Sequence, residues 1–353
     1  MTAHIHAIGT AVPTHDIHAA FIAWATPRIA DGRERRLFAR MAGRSGIAHR
    51  WSVLPKSADG GSPVDAGGFY HDRLPPTSAR MTVYAEEAPA LALKAIAALA
   101  AKVPIDRITH LVVASCTGFV APGIDQIIAA RLGLSGDVER TLVGFMGCYA
   151  AVAALRVAHY IAGSDPAARV LIVTVELSTL HLQDAREIEP LLAMLQFADG
   201  AAAALVSARP QGLAIERFFA ATLPDSADLI RWTIGDQGFA MHLSGEVPGR
   251  IGAALADTGF RQRLFGDRSP ADIPGWAVHA GGRSILDAVE HALALPDPAL
   301  AASRDVLERF GNMSSSTLMF VLDALMAQPD IEDGIAIAFG PGLAAEGFAL
   351  RRI

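Results

Sequence analysis

Cysteine is scarce in this chain: 353 residues hold two, Cys116 and Cys148. One pair cannot build a disulfide framework, and residues 1–10 show no basic-then-apolar leader, so the expected compartment is the cytoplasm. Long apolar runs are missing too. The best stretch, 108–124, is interrupted by His110, Gly118, Pro122 and Gly123, so no membrane span is expected. There is no basic excess: 30 Lys and Arg face 36 Asp and Glu, a formal net charge of −6 that argues against a nucleic-acid surface. Metal-ligand spacing is absent, since His4 and His6 alternate along one apolar run without cysteine or carboxylate companions. The Gly-Pro-Gly at 340–342 lacks the Lys-Ser/Thr of a phosphate loop.

What remains is an apolar globular chain, 52% hydrophobic and 19% charged, long enough for two domain-sized cores or one large duplicated core. Short, continuously apolar runs at 4–9, 110–115, 169–175, 201–207, 275–279 and 335–339 suit strands covered on both faces. Between them, 85–101, 126–132, 148–162, 282–295, 299–310 and 315–327 carry helical periodicity, with Gly133 and Gly163 as candidate caps. The alternation predicts an α/β fold. Residues 57–78, rich in Gly, Pro and Asp, read as a surface excursion. A softer break at 208–212 predicts two parts, 1–208 and 209–353.

Three residues on glycine-containing turns carry candidate chemistry. Cys148 lies between a strand-like run at 141–145 and a helical run, with Gly147 allowing the turn. A buried free cysteine is the commoner role, but the start of a helix would stabilise a thiolate and lower its pKa, as a nucleophile requires. His279 ends a strand-like run and is followed by Ala280, Gly281 and Gly282, which allow a substrate close to the ring. A histidine so placed is more often structural. Asn312 opens the helix near Ser315, where capping would explain it equally well.

Taken together, four segments resemble one family: Gly-Cys-Tyr-Ala-Ala at 147–151, Trp-Ala-Val-His-Ala-Gly-Gly at 276–282, Phe-Gly-Asn-Met-Ser-Ser at 310–315 and Phe-Gly-Pro-Gly-Leu at 339–343. These are similar to the type III polyketide synthases, the chalcone and stilbene synthase-like branch of the thiolase superfamily, over most of the chain. The resemblance implies a homodimer of five-layered αβαβα subunits built from two similar halves. It implies that Cys148 accepts an acyl group from acyl-CoA, while His279 keeps it ionised. With Asn312, His279 would stabilise the enolate of decarboxylated malonyl-CoA. No cofactor or metal is implied; acyl-CoA and malonyl-CoA are substrates.

By the same resemblance Phe197 is an aromatic gatekeeper, and Gly281, Gly282, Gly340 and Pro341 shape the substrate site. Arg40, Arg44 and Ser284 contact CoA; a third basic position is Leu37 here. Departures concern the cavity. Met241 stands for a second gatekeeper phenylalanine, Trp232 for a cavity glycine, Cys116 for a cavity threonine and Ala280 for a proline. The expected activity is acyl-CoA-primed, decarboxylative condensation of malonyl-CoA on Cys148, then cyclisation to an alkylpyrone, alkylresorcinol or similar phenolic. The alternatives are an initiating β-ketoacyl-ACP synthase that stops after one condensation, and a non-catalytic acyl-CoA-binding pseudo-synthase. The Ala-Gly-Gly at 280–282 departs from the Gln-Ala-Asn run that the condensing alternative normally shows.

Overall fold

A computed structural model describes residues 2–353. Among the described residues nine strands form one continuous sheet: Gly275–Val278, Asp333–Gly340, Ala344–Arg352, Leu213–Thr222, Ala3–Ala11, Asp199–Ser207, Arg169–Leu177, His110–Ser115 and Glu139–Gly144, in that spatial order. Its two ends repeat one another. In the first half, parallel pairing of Glu139–Gly144 with His110–Ser115 and of His110–Ser115 with Arg169–Leu177 gives way to two antiparallel pairings ending on Ala3–Ala11. The second half runs parallel, antiparallel, antiparallel and ends on Leu213–Thr222, the same order without its outermost strand. The halves join where Ala3–Ala11 and Leu213–Thr222 pair antiparallel, with His4 opposite Ala214.

Continuously apolar strands need cover on both faces, and the core is divided accordingly. Along His110–Ser115, Val112 and Ala114 face a central cluster, while Leu111 and Val113 face an outer one. Along Asp333–Gly340, Ala336 and Ala338 face the same central cluster, while Ile335, Ile337 and Phe339 face a second outer one. The central layer is the helix pair Ala150–Ser164 and Ser315–Met326, apolar nearly all round, as a doubly covered helix must be. Thr77–Ala100 and Ile124–Leu132 cover one outer face. Val247–Ala256, Thr258–Phe265 and Arg283–Leu293 cover the other. This is the five-layered, two-halved α/β architecture expected from the sequence.

Several boundaries differ from expectation. The first long helix starts at Thr77, directly after Pro76, so only the irregular part of the expected excursion remains. Gly133 caps its helix with φ 65°, whereas Gly163 lies inside a helix that runs on to Ser164. The strand before His279 ends at Val278. Leu213–Thr222 and Ala344–Arg352 lack continuous apolar runs because Glu216, Arg217 and Glu346 interrupt them, and they escaped notice. So did the hairpin Ile230–Gly235 with Gly238–Leu243, a two-stranded ribbon outside the main sheet.

Candidate active site

The chemistry collects where turns from both halves meet. The strand Glu139–Gly144 leads to a single 3₁₀ turn, Gly147–Tyr149, which carries Cys148. The α-helix begins only at Ala150, so Cys148 precedes it rather than opening it. Gly147 has φ 76°, and a Cβ there would strike the Pro341 ring; both facts require glycine. Its N–H donates to the Cys116 sulfur at 2.9 Å, which ties the two cysteine-bearing turns together.

A cavity of about 10 Å³, room for about one water, lies over Cys148. Cys116, Phe197, Trp232, Met241 and Pro341 line it, as do Thr117, Ser178 and Ser314, which sequence reasoning had not named. Trp232 and Met241 face each other across the hairpin, and the indole N–H donates to the Cys116 carbonyl at 2.8 Å. Phe197 is fixed through its main chain, because Asn312 N–H donates to Gln196 O and Ala198 N–H donates to Asn312 O.

Among the described residues Cys148 Sγ has one hydrogen-bond partner, the Ser314 hydroxyl at 3.8 Å. Ser314 is held at φ 48°, in a region that non-glycine residues rarely adopt. The buried Asn312 spends one amide hydrogen on Gly281 O at 3.1 Å, and its oxygen accepts from Ser314 N–H at 2.9 Å. Among the described residues the other amide hydrogen has no acceptor. Among the described residues neither ring nitrogen of the buried His279 has a partner. A Cβ on Gly281 would lie 3.4 Å from His279 Nε2, so Gly281 adjoins both the imidazole edge and the carboxamide. No thiol–imidazole hydrogen bond is formed.

Gly282 and Gly340 sit one layer back, against the Gln196 side chain and the Tyr149 ring. Arg40 and Arg44 are exposed, and neither makes an ion pair among the described residues. Arg283 Nη1 donates to Arg44 O at 3.3 Å, which sets the exposed Ser284 on the same rim.

Burial dominates the electrostatics. It pushes the Cys148 thiol up to about 12, with the Ser314 hydroxyl pulling down and Glu176 adding to the rise. It lowers His279 to about 3. Thiol and imidazole are therefore both neutral here, and the lowered thiol pKa expected at a helix start is not observed. Glu176, fully buried, rises to about 7 by desolvation. Its carboxylate accepts from Cys116 N–H and Thr117 Oγ1, each at 2.9 Å, and from the Ser315 hydroxyl.

The two halves of the chain match the models of the chalcone and stilbene synthases, the N-terminal domain over residues 1–210 and the C-terminal domain over 215–353. The chain belongs to this family. It is 34% identical over 299 residues, 81% of this chain and 76% of the other, to the alpha-pyrone synthesis polyketide synthase-like Pks18 of Mycobacterium tuberculosis. It is 33% identical over 271 residues, 71% and 67% of the two chains, to type III polyketide synthase A of Arabidopsis thaliana. The C-terminal type III polyketide synthase domain of Steely1 from Dictyostelium superposes with a TM-score of 0.88 at 27% identity, covering all of both chains. PKS-I of the brown alga Ectocarpus siliculosus superposes with a TM-score of 0.86 at 29% identity, covering 100% of this chain and 98% of the other. The protein is a type III polyketide synthase with a thiolase-like fold, an acyltransferase-type enzyme.

Within that family site, two missed residues left a signal in the sequence. Glu176 is the only carboxylate in a strand that is apolar but for Arg169 and Thr174, and such a charge needs a reason to be buried. Ser314 stands two residues after Asn312 in a polar run. Ser178 and Thr117 gave no sign.

Proposed function

We propose that this synthase is primed by an aliphatic acyl-CoA, extends it with malonyl-CoA and releases an alkylpyrone, alkylresorcinol or similar phenolic. One observation carries the aliphatic starter. Beyond the pocket over Cys148 lies a second cavity of about 80 Å³, and Ser178, Phe197, Trp232 and Met241 line both. Its further wall is largely apolar, with Leu54, Val64, Leu182 and Met194, as an alkyl chain requires.

The residues can perform the following steps. Cys148 loses its proton to neutral His279 and attacks the acyl-CoA carbonyl; CoA leaves as its thiol, taking that proton from His279, and a thioester forms on Sγ. Malonyl-CoA then loses CO₂, and the electron pair passes to its thioester oxygen as an enolate. The free Asn312 amide hydrogen and a His279 N–H are the donors for that oxygen. The enolate carbon attacks the Cys148 thioester, the C–S bond breaks, and a chain two carbons longer remains on CoA. Reloading on Cys148 repeats the cycle until ring closure.

Arg40, Arg44 and Ser284 would hold the CoA at the rim, and no resident cofactor is invoked. The chain divides functionally near 208/209, the Cys148 side from the His279 and Asn312 side. A homodimer is supported by the open edge strand Glu139–Gly144, where Leu142 and the Phe119–Phe145 ring pair, 5.5 Å apart, stand exposed. Two free cysteines suit a cytoplasmic location, and no helix among the described residues is long and apolar enough to cross a membrane. Incubation with malonyl-CoA and a series of straight-chain acyl-CoAs, followed by mass spectrometry, tests the reading. Products lengthened by several two-carbon units support it. Single-condensation products alone, or turnover only with an acyl carrier protein, contradict it.

A further inference from the structure

One surface helix and the turn after it are anchored to both segments that meet at the Gln196–Gly282 contact beside the site. The helix Gly32–Ala42 buries only Phe38 and Ala42, which join a cluster with Leu191 and Leu195, just ahead of Gln196 and Phe197. Arg50, enclosed at 2% exposure, holds that segment by donating from Nη1 to Met194 O at 3.0 Å and Phe197 O at 2.8 Å. Past the far end of the helix, Arg44 O accepts from Arg283, the residue directly after Gly281 and Gly282.

The outward face of this helix is basic. Arg33, Arg36 and Arg40 recur at three- and four-residue spacing, Arg44 follows four residues later, and all four are exposed. Among the described residues none of the four makes an ion pair. Glu34 is the one acidic side chain on the helix, and Asp31 is engaged as its N-cap. Leu37 and Met41, one turn apart, protrude among the arginines at 36% and 44% exposure. The chain as a whole carries a net charge of −6, so this stripe is not a share of a generally basic surface.

Arg40 and Arg44 suffice for the phosphates of a nucleotide. Arg36 and Arg33 lie about 6 Å and about 10 Å further along the axis than Arg40, and phosphates have no use for Leu37 and Met41. Positive charge along a stripe, with apolar side chains between, fits the surface of an acidic protein. A membrane surface would take the apolar face of the helix, and Phe38 and Ala42 have already buried that face in the fold.

We propose that this helix docks an acidic acyl carrier protein, which presents the starter to Cys148 on a phosphopantetheine arm as an alternative to acyl-CoA. The acyl carbon passes from the sulfur of the arm to Cys148 Sγ. The donor C–S bond breaks, and the carrier leaves as its thiol with the proton that His279 took from Cys148. This rests on the Cys148 acyl-transfer reading above.

The experiment measures kcat/KM for one acyl chain presented on CoA and on purified acyl carrier protein, in wild type, the double variant Arg33→Glu with Arg36→Glu, and Met41→Ser. Salt is kept at about 0.15 M, where exposed charges more than about 8 Å apart are largely screened. Wild type should use both donors. The charge reversal should lower the carrier-protein value by about 10–100-fold, and Met41→Ser should lower it less. The acyl-CoA value should stay within about twofold of wild type in both. A carrier protein that wild type cannot use, a carrier value unchanged in the variants, or equal losses for both donors would overturn the docking surface alone. So would sedimentation with phosphatidylglycerol vesicles that the double variant loses while its carrier-protein turnover is unchanged, which would assign the stripe to a membrane. Turnover with neither donor would overturn the acyl-transfer reading with it.

Discussion

The pocket over Cys148 and the cavity behind it share four side chains, yet their remaining walls come from different parts of the molecule. The pocket is closed by turns of both halves: strand ends carrying Thr117, Gly147 and Pro341, and the start of the helix Ser315–Met326, carrying Ser314. The cavity is closed by the N-terminal helix His18–Ala25, the irregular stretch after Trp51 and the segment 178–194. Strand-end turns are anchored by a nine-stranded sheet, so small shifts there are resisted by the whole core. Loops and a two-stranded hairpin carry fewer such constraints. On the proposed reading, reaction class rests on the rigid part and starter choice on the adaptable part.

That contrast can be broken by substitution on either side. Cys148→Ala removes the proposed acyl acceptor, and polyketide formation should vanish; product above the enzyme-free background in a mass-spectrometric assay would overturn the nucleophile assignment. His279→Ala and Asn312→Ala should each slow malonyl-CoA decarboxylation by about 10²–10³-fold, the usual loss for one oxyanion donor. Near-normal release of labelled CO₂ from both variants would show that the donors lie elsewhere.

On the adaptable side, Trp232→Gly removes the indole between the two cavities and its hydrogen bond to Cys116 O. Products should shift toward longer or bulkier polyketides, with starter preference changing by about tenfold, while decarboxylation is kept. An unchanged product profile across several starters would take Trp232 out of the specificity account.

The smallest effect concerns Glu176. Its folded pKa, about 7, lies above the ordinary carboxyl value of 4.5 because of burial. The neutral acid therefore stabilises the fold at low pH, and this contribution is lost as pH rises from about 4.5 through about 7. Glu176→Gln keeps the shape without the charge, so its stability relative to wild type should improve between about pH 5 and about pH 8 in denaturant titrations. Thiol alkylation should also titrate lower, because the carboxylate raises the Cys148 pKa. A stability difference that stays constant across that range would contradict the assignment.

Much of this was legible in the sequence, for physical reasons. Strands covered on both faces must be apolar throughout, so 110–115 and 169–175 stood out. Cys148, His279 and Asn312 stood out because glycine-bearing turns surround them. Leu213–Thr222 and Ala344–Arg352 were hidden because Glu216, Arg217 and Glu346 break the pattern while main-chain pairing holds the strands. The sequence suggested an activated thiolate at Cys148; the fold shows a thiol whose desolvation outweighs the helix behind it. Arg50 was unreadable, since nothing local says that an arginine beside Trp51 will be enclosed.

The most direct test is peptide mass mapping after brief exposure of the enzyme to a straight-chain acyl-CoA without malonyl-CoA. The account predicts one acyl group, on the peptide carrying Cys148, and an unmodified Cys116. An acyl group on Cys116, or none on Cys148 in enzyme that still makes polyketide, would contradict it.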